Sequence, residues 1–189
     1  GYWREDPLPG SGILYDLGSH LIDQALYLFG LPLAVTANIC RQRPWAKADD
    51  CFDVMLHYPT HTATLKSSML AKIPGPTIQI HGTKGTFVKY GLDVQEDNIN
   101  KGLIPNTADW GKEPEMGWGK LVTEFNGVKL KALVESENGD YREFFINLRD
   151  AIQGKVDLAV KPEEARTVIR IIELAFQSSN ERRTVDFSK

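Results

Sequence analysis

Hydrophobic and polar positions change their spacing several times along this chain of 189 residues. Near the N-terminus, apolar residues crowd into a helical pattern that runs to Phe29, and Gly30 follows as a stop signal. We expect this first helix to begin at Ile13 or Ser19 and to end at Phe29. Residues 1–12, which are rich in proline and glycine, predict a loop ahead of it.

Alternating apolar and polar residues then predict a series of strands. In the clearest of them, Phe52, Val54 and Leu56 alternate with more polar neighbours. The expected strands are 34–41, 51–58, 62–70, 77–81, 86–90, 119–125 and 128–135. Short turns between them, above all Asn126-Gly127, favour antiparallel neighbours.

The same alternation gives each strand one apolar face and one mixed face. The even-numbered residues from Val128 to Val134 are apolar, so we expect them to face a core. The mixed face of the sheet is expected to carry Thr36, Asn38, Met55, Thr64 and Ser68. A face of this kind is more often solvated than part of an interface.

Two amphipathic helices are predicted near the C-terminus. The first has apolar residues at three- and four-residue intervals from Tyr141 to Ile152, and Pro162 with two following acids marks the start of the second. A run of strands flanked by helices, without regular alternation, predicts an α+β fold. We expect an open, mostly antiparallel β-sheet with helices packed on one face, in a single domain over 1–189.

Composition narrows the class of protein further. Hydrophobic residues make up 42% and charged residues 25% of the chain, which is ordinary for a globular domain. A formal charge of -3 and the lack of a basic stripe argue against nucleic acid as a partner. No apolar run is long enough for a membrane span. The two cysteines, Cys40 and Cys51, are expected to be free thiols on neighbouring strands of a cytoplasmic protein.

Asp16 and His20 are the first candidates for chemistry. Their spacing of four residues places them on one face of a helix, one turn apart. Asp16 could then orient His20, whose imidazole titrates near neutral pH and could act as a general acid or base. On spacing alone, a surface pair or a helix cap is the more common arrangement.

The surrounding strings make the match more specific. The pattern Asp16-x-Gly18-x-His20 follows a turn of small residues and precedes a hydrophobic helix closed by Gly30, and 80–86 contains a Gly-Thr-Lys-Gly turn. In this order they resemble the C-terminal domain of the Gfo/Idh/MocA family. Members of that family are NAD(P)-dependent dehydrogenases of sugars, inositols and related polyols.

The resemblance covers most of the chain and leaves out 98–120. It implies a C-terminal domain like that of glyceraldehyde-3-phosphate dehydrogenase, and an N-terminal dinucleotide-binding (Rossmann) half that this sequence lacks, since no G-x-G-x-x-G string opens a strand–turn–helix unit. We therefore expect a substrate-binding and dimerisation domain, inactive alone. The cofactor would be NAD or NADP, held mainly by the other half, and the choice between them is not readable here.

The resemblance also implies roles for individual residues. His20 would accept the hydroxyl proton of a polyol or sugar and Asp16 would support it, while a lysine from a Glu-Lys-Pro string in the N-terminal half would complete the site. Trp3 and Arg4 are candidate substrate-binding residues, because an indole can stack on a polyol and a guanidinium can hydrogen-bond its hydroxyls. Alternatively, Trp3 packs on its own domain and Arg4 pairs with Glu5 or Asp6.

Several further alternatives stay open. Family members commonly dimerise through the open sheet face, so a homodimer is expected. A non-catalytic ligand-binding or dimerisation module with an idle Asp16/His20 pair is the competing function. A metal site at His57 and His61 is not expected, since Pro59 interrupts any helix between them. The loop from Trp110 to Trp118 has the composition of a lid or binding element, or of a disordered segment.

Overall fold

The computed structural model describes residues 3–107 and 109–187, and of Trp3 the backbone only. The helices are α1 (Ser19–Phe29), α2 (Gln95–Asn100), α3 (Tyr141–Ile152) and α4 (Pro162–Glu181). The strands are β1 (Ala34–Cys40), β2 (Cys51–His57), β3 (Thr62–Ser68), β4 (Ile78–Gly82), β5 (Gly85–Lys89), β6 (Gly119–Phe125), β7 (Val128–Val134) and β8 (Val185–Asp186). A five-residue π-helix, Leu14–Gly18, leads directly into α1.

The described strands form two four-stranded sheets, ordered β3-β2-β1-β8 and β4-β5-β6-β7, and every strand pair is antiparallel. Two compact units contain them. One unit comprises the chain up to Lys72 together with the segment from Val160 onward, and the other is Ile73–Ala159. The predicted α+β class with open antiparallel sheet is confirmed, while the single-domain organisation stays a prediction.

In the first unit, α1 and α4 pack on one face of the sheet. Phe52, Val54 and Leu56 of β2 are fully buried, as the alternation predicted, and they share a hydrophobic cluster with Ile22 of α1 and Ile172 of α4. The intervening residues of β2 are less buried. Helices on one face of the sheet are therefore confirmed for this unit.

Two serines of α4 close the free edge of β1. β8 pairs only with the beginning of that strand, so the later amides that point to this edge, away from β2, have no strand partner. Ser178 Oγ accepts the amide N–H of Ala37 at 2.9 Å, and Ser179 Oγ accepts that of Ile39 at 2.9 Å. Because an unpaired strand edge invites association with another chain, these bonds protect the sheet edge.

In the second unit, β6 and β7 form the expected hairpin. Asn126 (φ 51°) and Gly127 (φ 77°) both adopt positive φ, which a two-residue hairpin turn requires. The prediction that the even-numbered residues of β7 face a core is wrong, because all seven residues of the strand are exposed. β7 is an edge strand, and no described helix of its unit packs extensively against it.

Several short elements were not predicted from the sequence, among them the π-helix, α2 and β8. The π-helix replaces the regular helical turn expected around Asp16, α2 is only six residues long, and β8 is only two. Periodicity needs more residues than these elements contain. Among the described residues, no helix has both the length and the apolar character needed to cross a membrane.

Candidate active site

Asp16 lies within the π-helix, and His20 is the second residue of α1. A π-helix replaces the usual i to i+4 hydrogen bonding with i to i+5 bonding and is frequent at functional sites. Its first turn is fixed from outside, since the Leu14 amide donates to the Asp49 carboxylate (Oδ2) at 2.9 Å. Ser19 Oγ donates to the Asp16 carbonyl at 3.0 Å, where the π-helix passes into α1.

Arg4, rather than His20, is the partner of Asp16. Arg4 Nε lies 3.2 Å from Asp16 Oδ1, with both side chains partly exposed at 40% and 33%. His20 is exposed, and no described residue hydrogen-bonds to its imidazole. The expected support of His20 by Asp16 is therefore not a direct hydrogen bond in this chain, because a guanidinium competes well for a carboxylate.

The segment carrying Arg4 is tied to the same place. The Gly12 amide donates to the Arg4 carbonyl at 2.9 Å. Glu5 pairs with Arg43 at 3.0 Å, so the alternative pairing of Arg4 with an adjacent acid does not occur for Glu5. The backbone of Trp3 begins a short 3-10 helix, and its side chain lies outside the described residues. The structure thus brings Arg4, Asp16 and the start of α1 together.

Asp50 anchors the loop that supplies Asp49. Its carboxylate accepts the Gln42 amide at 2.6 Å, the Arg43 amide at 3.0 Å and Arg43 Nε at 2.9 Å. Burial alone would raise the pKa of Asp50, but these three bonds outweigh it and hold the pKa below the usual range of an aspartate. Burial raises the pKa of the neighbouring Asp49, against the opposing effect of its backbone hydrogen bonds.

Neither Asp49 nor Asp50 was predicted from the sequence. Asp50 is almost fully buried, at 1% exposed, and Asp49 is half-buried. Adjacent acids directly before a buried strand such as β2 were the available signal. A charged pair at such a position is costly unless it is hydrogen-bonded, so its presence indicates a structural or functional demand.

The other histidines and the cysteines have local partners. His57 Nε2 lies 2.8 Å from Thr36 Oγ1, and His61 stacks on Tyr58 with ring centroids 4.6 Å apart. No group of three or more histidine, cysteine, aspartate or glutamate side chains suited to a metal ion occurs in the described part of the chain. Cys40 and Cys51 are free and face each other across β1 and β2, and burial with the adjacent thiol raises the pKa of Cys51 to about 11.

The loop from Trp110 to Trp118 is anchored in the second unit by a buried charge. Lys89 Nζ donates to the carboxylate of Glu113, to the Gly117 carbonyl at 2.7 Å and to Ser136 Oγ at 3.0 Å, and Ser136 Oγ donates to Glu113 at 2.9 Å. Trp110 is buried at 7% exposure and borders a cavity of about 390 Å³. A role of this loop in binding stays a prediction.

Comparison with known proteins places the whole described chain in one family. Residues 1–187 match the model of the oxidoreductase family C-terminal alpha/beta domain of Gfo/Idh/MocA proteins, including the stretch 98–120 for which the sequence motifs gave no resemblance. The chain is 42% identical over 183 residues to scyllo-inositol 2-dehydrogenase (NADP(+)) IolW of Bacillus subtilis (strain 168), covering 97% of this chain and 51% of that protein. It is 36% identical over 184 residues to the uncharacterized oxidoreductase YdgJ of Escherichia coli (strain K12), covering 97% of this chain and 52% of that protein.

Solved structures agree with the sequence comparison. A protein classed as an oxidoreductase, yvaA from Bacillus subtilis, has a TM-score of 0.92 at 41% identity and covers 95% of this chain and 52% of its own. A similar oxidoreductase from Yersinia pestis has a TM-score of 0.90 at 34% identity, and the match covers 96% of this chain and 52% of the Yersinia pestis chain. The chain spans about half the length of the curated relatives it matches. It therefore belongs to the Gfo/Idh/MocA oxidoreductase family, as the C-terminal alpha/beta domain.

Proposed function

We propose that this chain is the substrate-side half of an NAD(P)-dependent oxidoreductase that transfers a hydride between nicotinamide and an inositol, sugar or related polyol. One observation carries the proposal: an exposed imidazole, His20, stands at the start of α1 one helical turn from the Asp16–Arg4 ion pair. An accessible base beside fixed charges is what alcohol oxidation requires of a protein.

The side chains of the candidate site are chemically suited to a substrate bound beside a nicotinamide. Imidazole, carboxylate and guanidinium groups at this place can hold a neutral polyol and manage one proton, and none of them is sealed from solvent. Bound nicotinamide supplies the hydride acceptor for the carbinol carbon. NAD and NADP both remain compatible with this chain, and the NADP-dependence of the relative from Bacillus subtilis makes NADP the first cofactor to test.

The residues of this chain would handle the proton and the substrate. As the carbinol C–H and O–H bonds break and the carbonyl forms, His20 takes the hydroxyl proton. The negative charge of Asp16 stabilises the resulting imidazolium, through space rather than by a direct hydrogen bond. Arg4 is the candidate for binding a substrate hydroxyl, because a guanidinium is a multiple hydrogen-bond donor. Trp3 stays a candidate for stacking on the polyol, on the sequence argument alone.

The complete protein would also contain a dinucleotide-binding domain and form a homodimer through the mixed face of the β3-β2-β1-β8 sheet. Polar and apolar side chains, including Thr36, Met55 and His57, are partly exposed on that face. A surface that combines polar and apolar side chains in this way is compatible with an interface between folded subunits.

The Arg4–Asp16 ion pair is the observation that favours the competing function. If the carboxylate serves only to fix the N-terminal segment through Arg4, His20 is idle and the chain is a ligand-binding or dimerisation module. The two functions differ in whether the complete protein binds and uses a nicotinamide cofactor.

Nicotinamide fluorescence tests the proposal directly. NADPH and NADH are titrated separately against this chain and against the complete gene product, followed by polyol oxidation assays that begin with scyllo-inositol. We expect binding and turnover by the complete protein only. A complete protein that binds neither cofactor would leave the ligand-binding module as the better description.

A further inference from the structure

The loop between β1 and β2 reaches back to the turn that carries Asp16. Asp49 supplies two acceptors there: its carboxylate Oδ2 takes the Leu14 amide N–H at 2.9 Å, and its carbonyl takes the Ile13 amide N–H at 2.9 Å. Both amides belong to the first turn of the helix, where backbone donors have no partner within the helix itself. A residue 35 positions away in the sequence therefore satisfies the start of the π-helix.

Gly12 leaves the space that this carboxylate fills. Its φ is +97°, and a Cβ built on it would lie 1.9 Å from Asp49 Oδ1. Any side chain at this position would therefore be strained and would displace Asp49. Gly12 is also linked to both members of the ion pair, since its amide donates to the Arg4 carbonyl and its carbonyl accepts the Asp16 amide at 3.1 Å.

The loop that carries Asp49 is itself held in place. The next residue, Asp50, is held by three hydrogen bonds from Gln42 and Arg43, and its carbonyl accepts the Met69 amide at 2.9 Å. Arg43 also binds Glu5 in the segment that carries Arg4. The carboxylate of Asp49 is thus presented from a loop with little freedom to move.

We propose that Asp49 is a positioning residue for the candidate active site, fixing the π-helix so that Asp16 stays on Arg4 and His20 projects from the first turn of α1. This rests on the proposed function, since it assigns Asp49 a role in the work of Asp16 and His20. Asp49 does not touch the substrate. Its effect passes through Leu14 and Gly12 to the backbone of Asp16.

Amide exchange in this chain tests the contact without any activity. Hydrogen exchange at Leu14 is compared in the wild type, Asp49→Ala, Asp49→Asn and the control Asp150→Asn, whose carboxylate pairs with Arg149 in the other unit. We expect Asp49→Ala to speed exchange at Leu14 about tenfold, because one hydrogen bond is lost. Asp49→Asn, whose amide oxygen can still accept, should restore most of the protection. Unchanged exchange at Leu14 in Asp49→Ala would overturn the proposal.

Steady-state kinetics of the complete gene product test the consequence. We expect Asp49→Ala to lower kcat about tenfold or more, since a small displacement of a reacting group is costly, and to leave KM within about threefold. Asp49→Asn should recover most of kcat. A kcat within twofold of wild type in Asp49→Ala, or an equal loss in Asp49→Asn, contradicts positioning.

Two comparisons keep the outcomes separate. If His20→Ala leaves kcat unchanged, the proposed function fails whatever Asp49 does. If His20→Ala abolishes turnover and Asp49→Ala does not reduce it, only the role of Asp49 fails. Should Asp49→Ala not fold, Asp49→Glu serves instead, because it keeps the charge but moves the carboxylate by one methylene relative to the Leu14 amide; it must raise exchange at Leu14 and lower kcat together, and failure of either overturns the proposal.

Discussion

In the unit that contains Asp16 and His20, most of the charged residues near the candidate site are members of ion pairs. Asp16 is held by Arg4, Glu5 by Arg43, and Asp50 by Arg43 and two backbone amides. Sequence spacing suggested Asp16 with His20 but could not reveal Arg4, which comes close only after the N-terminal segment folds back. The roles of Asp16, His20, Arg4 and Trp3 remain proposals that depend on substrate and cofactor.

Asp50 should make the stability of the chain depend on pH. Its folded-state pKa lies below the unfolded value of about 3.9, so the carboxylate stabilises the fold above that pH, and this contribution is lost as the pH falls through the folded pKa. Replacing Asp50 with Asn should lower the free energy of unfolding at pH 7 by about 2–3 kcal/mol. Urea unfolding at pH 7 and near pH 3 measures the effect.

The difference in the free energy of unfolding between wild type and Asp50→Asn should be smaller at the lower pH. Glu173→Gln is the control, since its exposed pair with Arg170 should contribute less than about 1 kcal/mol at either pH. A gap of the same size at both pH values would show that the carboxylate charge of Asp50 does not contribute.

At the scale of elements, the bounds of α1, α3, α4 and the strands β1 to β7 followed their sequence patterns closely, whereas the π-helix, α2 and β8 were not predicted. β6 has the predicted bounds, α1 ends at Phe29, and α3 and α4 begin at Tyr141 and Pro162. The alternation in β2 correctly gave its buried face, but the same alternation in β7 did not, because burial depends on what covers a strand. The π-helix and β8 depend on partners distant in sequence, which no local pattern contains.

The contact between α4 and the edge of β1 gives a prediction at this scale. Ser178 is fully buried, accepts the Ala37 amide and donates to the Arg183 carbonyl at 2.6 Å. Ser178→Ala should lower the free energy of unfolding by roughly 1–3 kcal/mol, because both backbone groups lose a partner that is fully buried. Chemical denaturation measures it.

Ser179→Ala provides the comparison within the same helix. Ser179 is only half-buried, so water can replace its bond to Ile39 and the loss should be smaller. Equal losses of unfolding free energy in the two variants would mean that the burial of the serine does not determine how much its hydrogen bond contributes.

For the whole molecule, family membership followed from two short motifs, because they combine chemistry with turn geometry in a fixed order. The family match over residues 1–187 also covers the aromatic loop region that these motifs did not explain. Cofactor choice and substrate identity could not be read from this chain, since the groups that discriminate among cofactors are expected in the dinucleotide-binding half.

Association through the mixed face of the β3-β2-β1-β8 sheet is the prediction for the assembled protein. We expect a dimer by light scattering, and Met55→Glu, which adds a charge to the partly exposed centre of that face, should shift it toward monomer. Ile169→Glu, an exposed position on α4, is the control and should leave the dimer intact. A monomeric wild-type protein would refute the interface.

Turnover by the His20→Ala variant of the complete gene product is the measurement that tests the central claim most directly. Initial rates of polyol oxidation are followed by nicotinamide absorbance, with His81→Ala as a control in the other unit. If His20 is the base, kcat falls by ~100- to 10,000-fold while the control retains wild-type rates. A loss of less than about tenfold in His20→Ala, on the same scale of general-base contributions, would remove His20 from that role.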